Sequence, residues 1–242
     1  MVRKTKQEAQ ETRERILDAA ERLFHSQGVS QTSLQDIAAE AEVTRGAIYW
    51  HFKDKVEVFN AMMDRATMPL EEGMNPVRED GRDAAAAAAL TLAELRWGLI
   101  NVFHSTMYNL RTRRAFEIVK HKVEFAGELH SLKQRQLDAH LRWRGENRAC
   151  FEQAIRQGQL LADTNAERAA ITLVALVGGL IDEWVMAPDS FNLLEVGQTA
   201  VEDYLACLGG PGQPKLPPLS DAERARLGQV AVCPLRPRPA ED

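Results

Sequence analysis

The sequence predicts an all-α fold, and three observations support that prediction. The 242 residues are 45% hydrophobic but only 6% aromatic, and they are rich in the strong helix formers Ala, Leu, Glu and Arg. Apolar residues recur at helical spacing through most of the chain. The sequence has no strand-like alternation of useful length and no repeat of about 20–50 residues.

Four helices are predicted at the N-terminal end. The first begins near Glu11 or Thr12 and ends at Gly28. Its apolar face carries Ile16, Leu17, Ala20, Leu23 and Phe24. Capping patterns start the next three helices: Ser33 with Asp36, Thr44 alone, and Asp54 with Glu57. The second helix is predicted to be short, because Glu42, Val43 and Thr44 interrupt it.

Five longer helices are predicted after a loop that is marked by Pro69, Gly73, Pro76 and Gly81. Their predicted bounds are 82–109, 112–125, 128–157, 165–186 and 190–208. Thr164 with Glu167 forms another capping pattern, and Pro188 to Ser190 form the turn before the last helix. From Gly209 the chain is rich in proline, which predicts a flexible tail over 209–242 with at most a short helix at 221–229.

Several classes of protein are excluded by what the sequence lacks. Three unclustered cysteines argue against a disulfide scaffold or a zinc site, and residues 1–14 lack the apolar segment of a signal peptide. The charge-free stretch Ala169–Ile181 has 13 residues, too few to span a bilayer. There is no phosphate loop, nucleophile elbow or HExxH motif, and the lone pair His121 and Glu124 makes no metal site. We therefore expect a cytoplasmic protein that is not an enzyme and has no cofactor, metal or membrane attachment.

Residues 33–52 have the proportions of a helix, a tight turn and a second helix. Ile48 and Phe52 are spaced to point inward, which leaves polar and aromatic groups on the other edge of the second helix. A short helix with hydroxyl, Arg, Gly and aromatic groups on one face fits the major groove of DNA. The residues predicted to contact DNA are Ser33, Thr44, Arg45, Gly46, Tyr49, Trp50, His51, Lys53 and Lys55. The Tyr-Trp-His tripeptide alone would more often be a packing element.

These residues carry a resemblance to a known family. The segment Thr12–Phe59, with the strings ILDAAERLFHSQG and TSLQDIAAEAEVTRGAIYWHFKDKVEVF, resembles the DNA-binding domain of the TetR family of bacterial transcriptional repressors. The opening VRKTKQEAQETRERILDAAE is similar to the subgroup that controls multidrug efflux pumps (AcrR/TtgR-like). A weaker similarity continues to about residue 208. One departure is Glu42, which occupies a left-handed turn position where the family often has Gly.

The resemblance implies a homodimer that binds a palindromic double-stranded operator. A helix-turn-helix domain is implied over 1–56, and a helical ligand-binding and dimerisation domain over 57–208. The implied function is repression of a multidrug efflux operon, relevant to antibiotic resistance, and release by a small hydrophobic or aromatic inducer. Inducer binding would shift the fourth helix and move the recognition helices out of register with the DNA.

The inducer pocket is expected among the middle helices of the second domain. Candidate residues are polar or bulky side chains on apolar faces: Trp97, Phe116, Lys120, Glu124, Trp143, Asn147, Val174, Val177, Gly178 and Ile181. Each could instead be an ordinary core or surface residue. The pair Gly178-Gly179 would lower helix stability, so it needs a reason: either a close helix crossing at the dimer seam or room for a ligand.

Alternative functions stay open at this stage. The chain could regulate a metabolic operon or act as an activator. It could also be a helical ligand-binding or enzymatic protein that reuses the helix-turn-helix shape without a role at DNA.

The net charge of −5 argues against nucleic-acid binding only when it is averaged over the whole chain. Residues 1–56 hold nine Lys or Arg and nine Asp or Glu, so the excess negative charge lies in 57–242. Arg3, Lys4, Lys6, Arg45, Lys53 and Lys55 are expected to face phosphate, whereas Glu21, Glu40 and Glu42 are expected to face away. This balance predicts modest non-specific affinity for DNA.

Overall fold

The computed structural model describes residues 6–74, 90–124, 127–210 and 216–229. In these ranges the backbone forms ten α-helices and a short 3-10 helix at Gly127–Leu129. The α-helices are α1 (Lys6–Gln27), α2 (Leu34–Glu40), α3 (Arg45–His51), α4 (Lys55–Met74), α5 (Leu92–Tyr108), α6 (Leu110–His121), α7 (His130–Arg156), α8 (Ala166–Met186), α9 (Leu193–Gly209) and α10 (Asp221–Arg226). The predicted all-α fold is confirmed.

The predicted caps of the helix-turn-helix region are confirmed. Ser33 Oγ accepts a hydrogen bond from Asp36 N at 3.1 Å, and Asp36 Oδ2 accepts one from Ser33 N at 2.9 Å. Thr44 caps α3 by accepting from Ala47 N, and Asp54 Oδ1 accepts from Glu57 N at 2.8 Å. Each cap satisfies an amide that the first helical turn leaves without a partner.

Several predicted helix ends were wrong, because a better cap lay nearby. α5 begins at Leu92, where Thr91 and Glu94 form a capping box, and not at residue 82. Asn109 caps α6, which begins at Leu110, two residues before the predicted start. α8 is capped by Asn165 and not by Thr164, and Asn192 caps α9 at Leu193 where Ser190 was predicted to begin it. The predicted helical residues 82–89 lie outside the described residues.

Helices α1 and α4 are longer than predicted. α1 begins at Lys6, five residues before Glu11. α4 continues to Met74, so it includes Pro69 and Gly73, which were expected to mark a loop. A proline removes one backbone hydrogen bond of a helix, and packing of Val58, Phe59 and Met62 earlier in α4 holds this helix in place.

The first hydrophobic core lies under the helix-turn-helix. Its fully buried residues include Ile16, Phe24, Ile37 and Ile48, which come from α1, α2 and α3. The same cluster continues into residues that were assigned to the second domain: Val58, Phe59, Met62, Ile118, Leu129 and Leu132. The domain boundary at residue 56 therefore stays a prediction, and the apolar packing continues across it.

The second core is built by α5, α7, α8 and α9. Leu99, Phe103, Phe151, Leu173 and Trp184 are fully or almost fully buried in it. α9 approaches α5 closely at Gly197, where an added Cβ would lie 2.5 Å from the Phe103 ring. Only a glycine allows this contact, so Gly197 sets the distance between α5 and α9.

Among the described helices, α8 alone is long and apolar enough to cross a membrane by length and composition. The sequence-based argument considered only its charge-free part. A core helix of a soluble protein meets the same criterion, and α8 packs against α7 and α9 with Leu173, Val177 and Trp184 buried. This packing identifies α8 as a core helix of the fold.

Within the tail that was predicted to be flexible, residues 216–229 have a defined structure, whereas 211–215 and 230–242 lie outside the described residues. A short helix at 221–229 was expected at most, and α10 forms over Asp221–Arg226. Residues 216–229 pack against α5, where Leu219 is buried with Trp97 and Ile100. The proline content predicted disorder, but it could not show that α5 offers a surface for this segment.

Candidate DNA-binding surface and ligand region

The turn between α2 and α3 is held by backbone hydrogen bonds. Glu42 N donates to Ala39 O at 3.1 Å and Val43 N donates to Ala38 O at 3.0 Å. This is the Schellman pattern, which places the residue after the C-cap in the left-handed region. Glu42 has φ 53°. This confirms the prediction that the residue lies at a left-handed turn position, where the family often has Gly. The turn therefore keeps its geometry although it contains a strained residue.

α3 is anchored on one side and exposed on the other. Ile48 and Phe52 are buried in the first core, as predicted. Tyr49 and Trp50 are 48% and 72% exposed, and Arg45 and Gly46 are exposed beside them. An aromatic side chain is seldom left so open to water in a folded chain unless the surface has another use.

Arg45 and Tyr49 form one unit on this exposed face. Arg45 Nη2 donates to Tyr49 Oη at 3.3 Å, and the guanidinium lies 5.5 Å from the centre of the Tyr49 ring. The hydrogen bond with Tyr49 raises the pKa of Arg45, whose guanidinium is charged at neutral pH in any case. The pair holds a flat set of donors at the exposed surface, the geometry that reads guanine edges or phosphates.

The other residues predicted to contact DNA have different surroundings. Trp50 packs edge-on against the His51 ring, with 4.4 Å between the ring centres. The hydroxyls of Ser33 and Thr44 are helix caps, so any contact they make with DNA must use their remaining donor or acceptor capacity. An added Cβ at Gly46 would lie 3.9 Å from Thr44 Oγ1, so nothing inside the chain demands glycine there.

The two lysines predicted to contact DNA differ sharply. Lys53 is exposed. Lys55 is only 9% exposed, and its Nζ donates to the carbonyl of Ser30 at 3.4 Å. The spacing placed Lys55 in the first turn of α4, which is correct, but the fold turns its side chain toward the loop after α1. The structure therefore does not support Lys55 as a ready phosphate contact.

A charged seam joins α1 to the rest of the chain. Three side chains of α1 form hydrogen bonds with acidic or basic partners on α6: Asp18 with Arg111, Glu21 with Arg114 and His25 with Glu117. Arg65 of α4 adds hydrogen bonds to Glu14, Asp18 and Glu21. Glu21 was expected to face away from DNA, and it is buried in this seam. Sequence patterns could not reveal the seam, because its partners are separated by 44 to 93 residues.

The predicted ligand residues have different surroundings. Val177 and Ile181 are buried in the second core, and Phe116 and Trp143 are half-buried against it. Val174 is also buried, on the same helix α8. Lys120 forms an ion pair with Asp182 at 2.9 Å, and Glu124 lies beyond the end of α6. Because α6 ends at His121, Glu124 does not continue the helical face that carries Phe116 and Lys120.

Two of the predicted polar ligand contacts are buried, with opposite outcomes. Trp97 Nε1 donates to Glu223 O at 2.9 Å, so the tail segment satisfies this indole. Asn147 is 0% exposed, and neither its Oδ1 nor its Nδ2 has a hydrogen-bond partner among the residues that the structure describes. A buried amide without partners costs about 1–3 kcal/mol per unsatisfied group. Asn147 thus has the capacity for one donor and one acceptor contact inside the second core.

The glycine pair of α8 has open space around it within the chain. An added Cβ at Gly178 or Gly179 would meet no heavy atom within 4 Å. Among the described helices of this chain, none therefore makes a close crossing at this point. Contact with a second subunit or with a ligand remains as the reason for the pair.

Two clefts lie on the described surface, and neither is lined by a predicted ligand residue. One, of about 330 Å³, lies between the beginning of α8 and the end of α9 and is lined by residues that include Arg168, Tyr204 and Cys207. The other, of about 310 Å³, follows the charged seam between α1 and α6. No cluster of three or more His, Cys, Asp or Glu side chains suited to a metal occurs in the part of the chain that the structure describes.

Two family models match the chain. Residues 16–62 match bacterial regulatory proteins of the tetR family, and residues 91–209 match the C-terminal region of MAATS-type transcriptional repressors. Similar curated proteins include the HTH-type transcriptional regulator TtgR of Pseudomonas putida, 41% identical over 80% of this chain and 90% of the relative. The regulator AcrR of Shigella flexneri is also 41% identical, over 86% of this chain and 92% of the relative.

Solved structures show the same similarity. The complex of SmeT with triclosan has a TM-score of 0.72 and 30% sequence identity, and the match covers 87% of this chain and all of SmeT (100%). NalD, the secondary repressor of the MexAB-OprM multidrug efflux pump in Pseudomonas aeruginosa, has a TM-score of 0.70 and 29% identity over 82% of this chain and 96% of that chain. The arrangement of the two helical cores is thus shared along most of the chain.

Proposed function

Because the chain belongs to the TetR family of bacterial transcriptional regulators, we propose that it is a dimeric repressor of a multidrug efflux operon. It acts in the cytoplasm and binds a palindromic operator through α3 of each subunit. A small hydrophobic or aromatic molecule releases it from the operator by binding among the helices of the second core.

The exposed face of α3 carries this proposal. Ile48 and Phe52 hold the helix from below, while Arg45 and Tyr49 present joined donors on the open side. Arg45 suits a guanine edge or a phosphate, and Trp50, His51 and Lys53 lie beside it at positions suited to backbone contacts. Two such helices in a twofold dimer would enter successive major grooves, about 34–36 Å apart.

The surface of α8 and α9 supports dimerisation. Ile171 and Met186 on α8 are 46% and 71% exposed, and Val196 on α9 is 40% exposed. Between them on α8 lie the exposed small residues Ala175 and Gly179. An apolar face with small residues permits close approach of a second copy, and Gly178-Gly179 has room for it.

Asn147 supports an inducer site in the second core. It lies four residues after the half-buried Trp143 and three before the buried Cys150, on the face of α7 that packs inward. Its amide would fix the orientation of a mainly apolar molecule through one donor and one acceptor bond. Inducer and operator then oppose each other reciprocally, because each favours a different arrangement of the same helices.

The efflux assignment draws on the relatives. NalD is named as a repressor of a multidrug efflux pump, and SmeT is described as the repressor of the Stenotrophomonas maltophilia efflux pump SmeDEF. A metabolic operon, or activation in place of repression, would keep the same surface on α3 and would differ in the genes controlled.

The test is operator binding by wild-type protein and by Arg45→Ala, on a palindrome selected from random DNA. Arg45 is exposed, so the variant should fold normally yet bind about 10- to 100-fold more weakly, the effect of losing one or two good base or phosphate contacts. Arg148→Ala, at an exposed arginine of α7, is the matched control and should bind like wild type. Failure of the wild-type protein to select any DNA would favour a ligand-binding protein without a role at DNA.

A further inference from the structure

The segment 216–229 is fitted to α5 by contacts along its whole length. Arg96 Nη1 donates to Pro217 O at 2.5 Å, Trp97 Nε1 donates to Glu223 O at 2.9 Å, and Gly228 N donates to Asn101 Oδ1 at 2.9 Å. The three residues of α5 span nearly one and a half helical turns. The segment thus runs beside α5 in the same direction and is held at both ends and in the middle.

Apolar and cationic contacts close the centre of this interface. Leu219 is only 2% exposed and packs with Trp97 and Ile100. The Arg226 guanidinium lies over the Trp97 ring, 5.0 Å from its centre. Trp97 is therefore enclosed by the segment, which removes it from the surface on which a ligand or a partner could reach it.

The segment is also built to fold locally. Ser220 and Glu223 form a complete capping box at the start of α10, and the hydrogen bonds from Ser220 lower the pKa of Glu223. At the other end Gly228 has φ +71°, and an added Cβ would lie 2.6 Å from Cε1 of His104. Both the backbone conformation and the closeness of α5 require glycine at this position.

The segment bridges two helices of the second core. Leu194, at the beginning of α9, is a partly buried member of the Trp97, Ile100 and Leu219 cluster. α5 in turn packs against α4, the helix that follows the recognition helix. A displacement of α5 relative to α9 would have to disturb the packing of Leu194 against this cluster, to which the segment contributes Leu219. Residues 216–229 lie beyond the range 91–209 that matches the family.

We propose that residues 216–229 are a strap that clamps α5 to the beginning of α9 and so restrains α4 and the DNA-binding helices attached to it. The effect on DNA rests on the proposed function. Without the strap, α5 and α4 sample more positions, and this freedom has to be lost when the two recognition helices dock on the operator. The strap therefore favours operator binding by ordering the helices beforehand.

The strap can be released in the full-length chain by the double variant Leu219→Ala with Gly228→Ala. The first change removes the buried anchor, and the second forces a Cβ against His104. Gly158→Ala is the matched control, since Gly158 has φ +70° and no atom within 4 Å of an added Cβ. It imposes the same backbone strain without a clash.

Hydrogen exchange of the free dimer, followed by mass spectrometry, measures directly whether the strap protects the backbone amides of the helices it contacts. The double variant should lose protection in 216–229, in α5 and at the beginning of α9, whereas the control should match wild type. Normal protection of α5 in a variant whose strap exchanges freely would overturn the proposal. Continued protection of 216–229 in the double variant would also overturn the proposal, because Leu219 and Gly228 would then not be the residues that hold the segment.

Operator binding tests the second part of the proposal, the effect of the strap on affinity for DNA. The double variant should bind the selected operator about three- to tenfold more weakly than the control, the effect expected from losing a restraint of about one hydrogen bond in strength. Equal affinities would overturn the proposed link to DNA. If the wild-type protein bound no DNA, the proposed function would fail, and the exchange experiment would still decide whether the clamp exists.

Discussion

Arg65 of α4 and Glu21 of α1 form an ion pair of 3.0 Å in which the two side chains are only 10% and 8% exposed. Arg114 and Arg111 of α6 approach the same carboxylate at 3.2 Å and 3.6 Å. One carboxylate on α1 thus joins α4 to α6. A charge buried this deeply is tolerated only because several partners surround it.

Replacing Glu21 by Ala should destabilise the protein by about 3 kcal/mol, since it leaves three arginines around a buried site without their shared partner. Chemical denaturation measures the effect. Glu152→Ala removes an exposed carboxylate that pairs with Arg148 at 3.5 Å, and it should cost less than about 0.5 kcal/mol. Equal losses for the two variants would show that the seam contributes no more than a surface pair.

The left-handed residue of the turn offers a stabilising change. Glu42→Gly should raise the free energy of unfolding by up to about 1 kcal/mol, because the relief of strain at φ 53° exceeds the added chain entropy of glycine. Ala39→Gly, inside α2, should instead lower it by about 1 kcal/mol. A loss of stability in the Glu42 variant would mean that the carboxylate makes a contact that outweighs the strain.

The buried amide of Asn147 gives a prediction with a matched partner. Asn147→Leu should stabilise the protein by about 1–2 kcal/mol, since it replaces two unsatisfied polar atoms by apolar ones of similar volume. Asn101→Leu should instead lower the stability, because it leaves Gly228 N without its acceptor Asn101 Oδ1, a loss that exceeds the gain from removing an Nδ2 that has no partner among the described residues. Thermal unfolding of both variants measures these effects. Destabilisation of the Asn147 variant would contradict the finding that the Asn147 amide has no hydrogen-bond partner among the described residues.

The cysteines should differ in reactivity. Burial, with a smaller effect from the negative charge of Glu94, raises the pKa of Cys150 to about 12, whereas Cys207 is exposed. At pH 8 iodoacetamide should therefore label Cys207 in the native protein and label Cys150 only after denaturation, as peptide mass spectrometry would show. Rapid labelling of native Cys150 would indicate an open core near α7.

The raised pKa of Cys150 also makes the free energy of unfolding depend on pH. In the unfolded chain the Cys150 thiol ionises near its ordinary pKa of 9.0, while in the folded chain it stays protonated to about 12. The contribution of this group is therefore complete below pH 9 and should decline as the pH rises from 9 to 12. Replacement by Ser or Ala should remove this alkaline component from the unfolding curves.

Sequence reasoning was most accurate where the decisive groups are neighbours along the chain. The caps Ser33–Asp36 and Asp54–Glu57, the inward pair Ile48 and Phe52, and the left-handed Glu42 all depend on spacings of three or four residues or on one turn. It failed at Thr164 and Ser190, where a stronger asparagine cap lay one or two residues away. Competing caps differ by tenths of a kcal/mol, which a pattern cannot resolve.

The sequence by itself therefore determined the all-α fold, the family and the exposed face of α3, because each follows from local periodicity and from a long matching string. Only the tertiary structure decided which charges are buried. It placed Glu21 among three arginines, turned Lys55 toward Ser30 and enclosed Trp97 under the tail. These outcomes depend on partners up to 129 residues apart, as for Trp97 and Arg226, which meet only after the helices have packed.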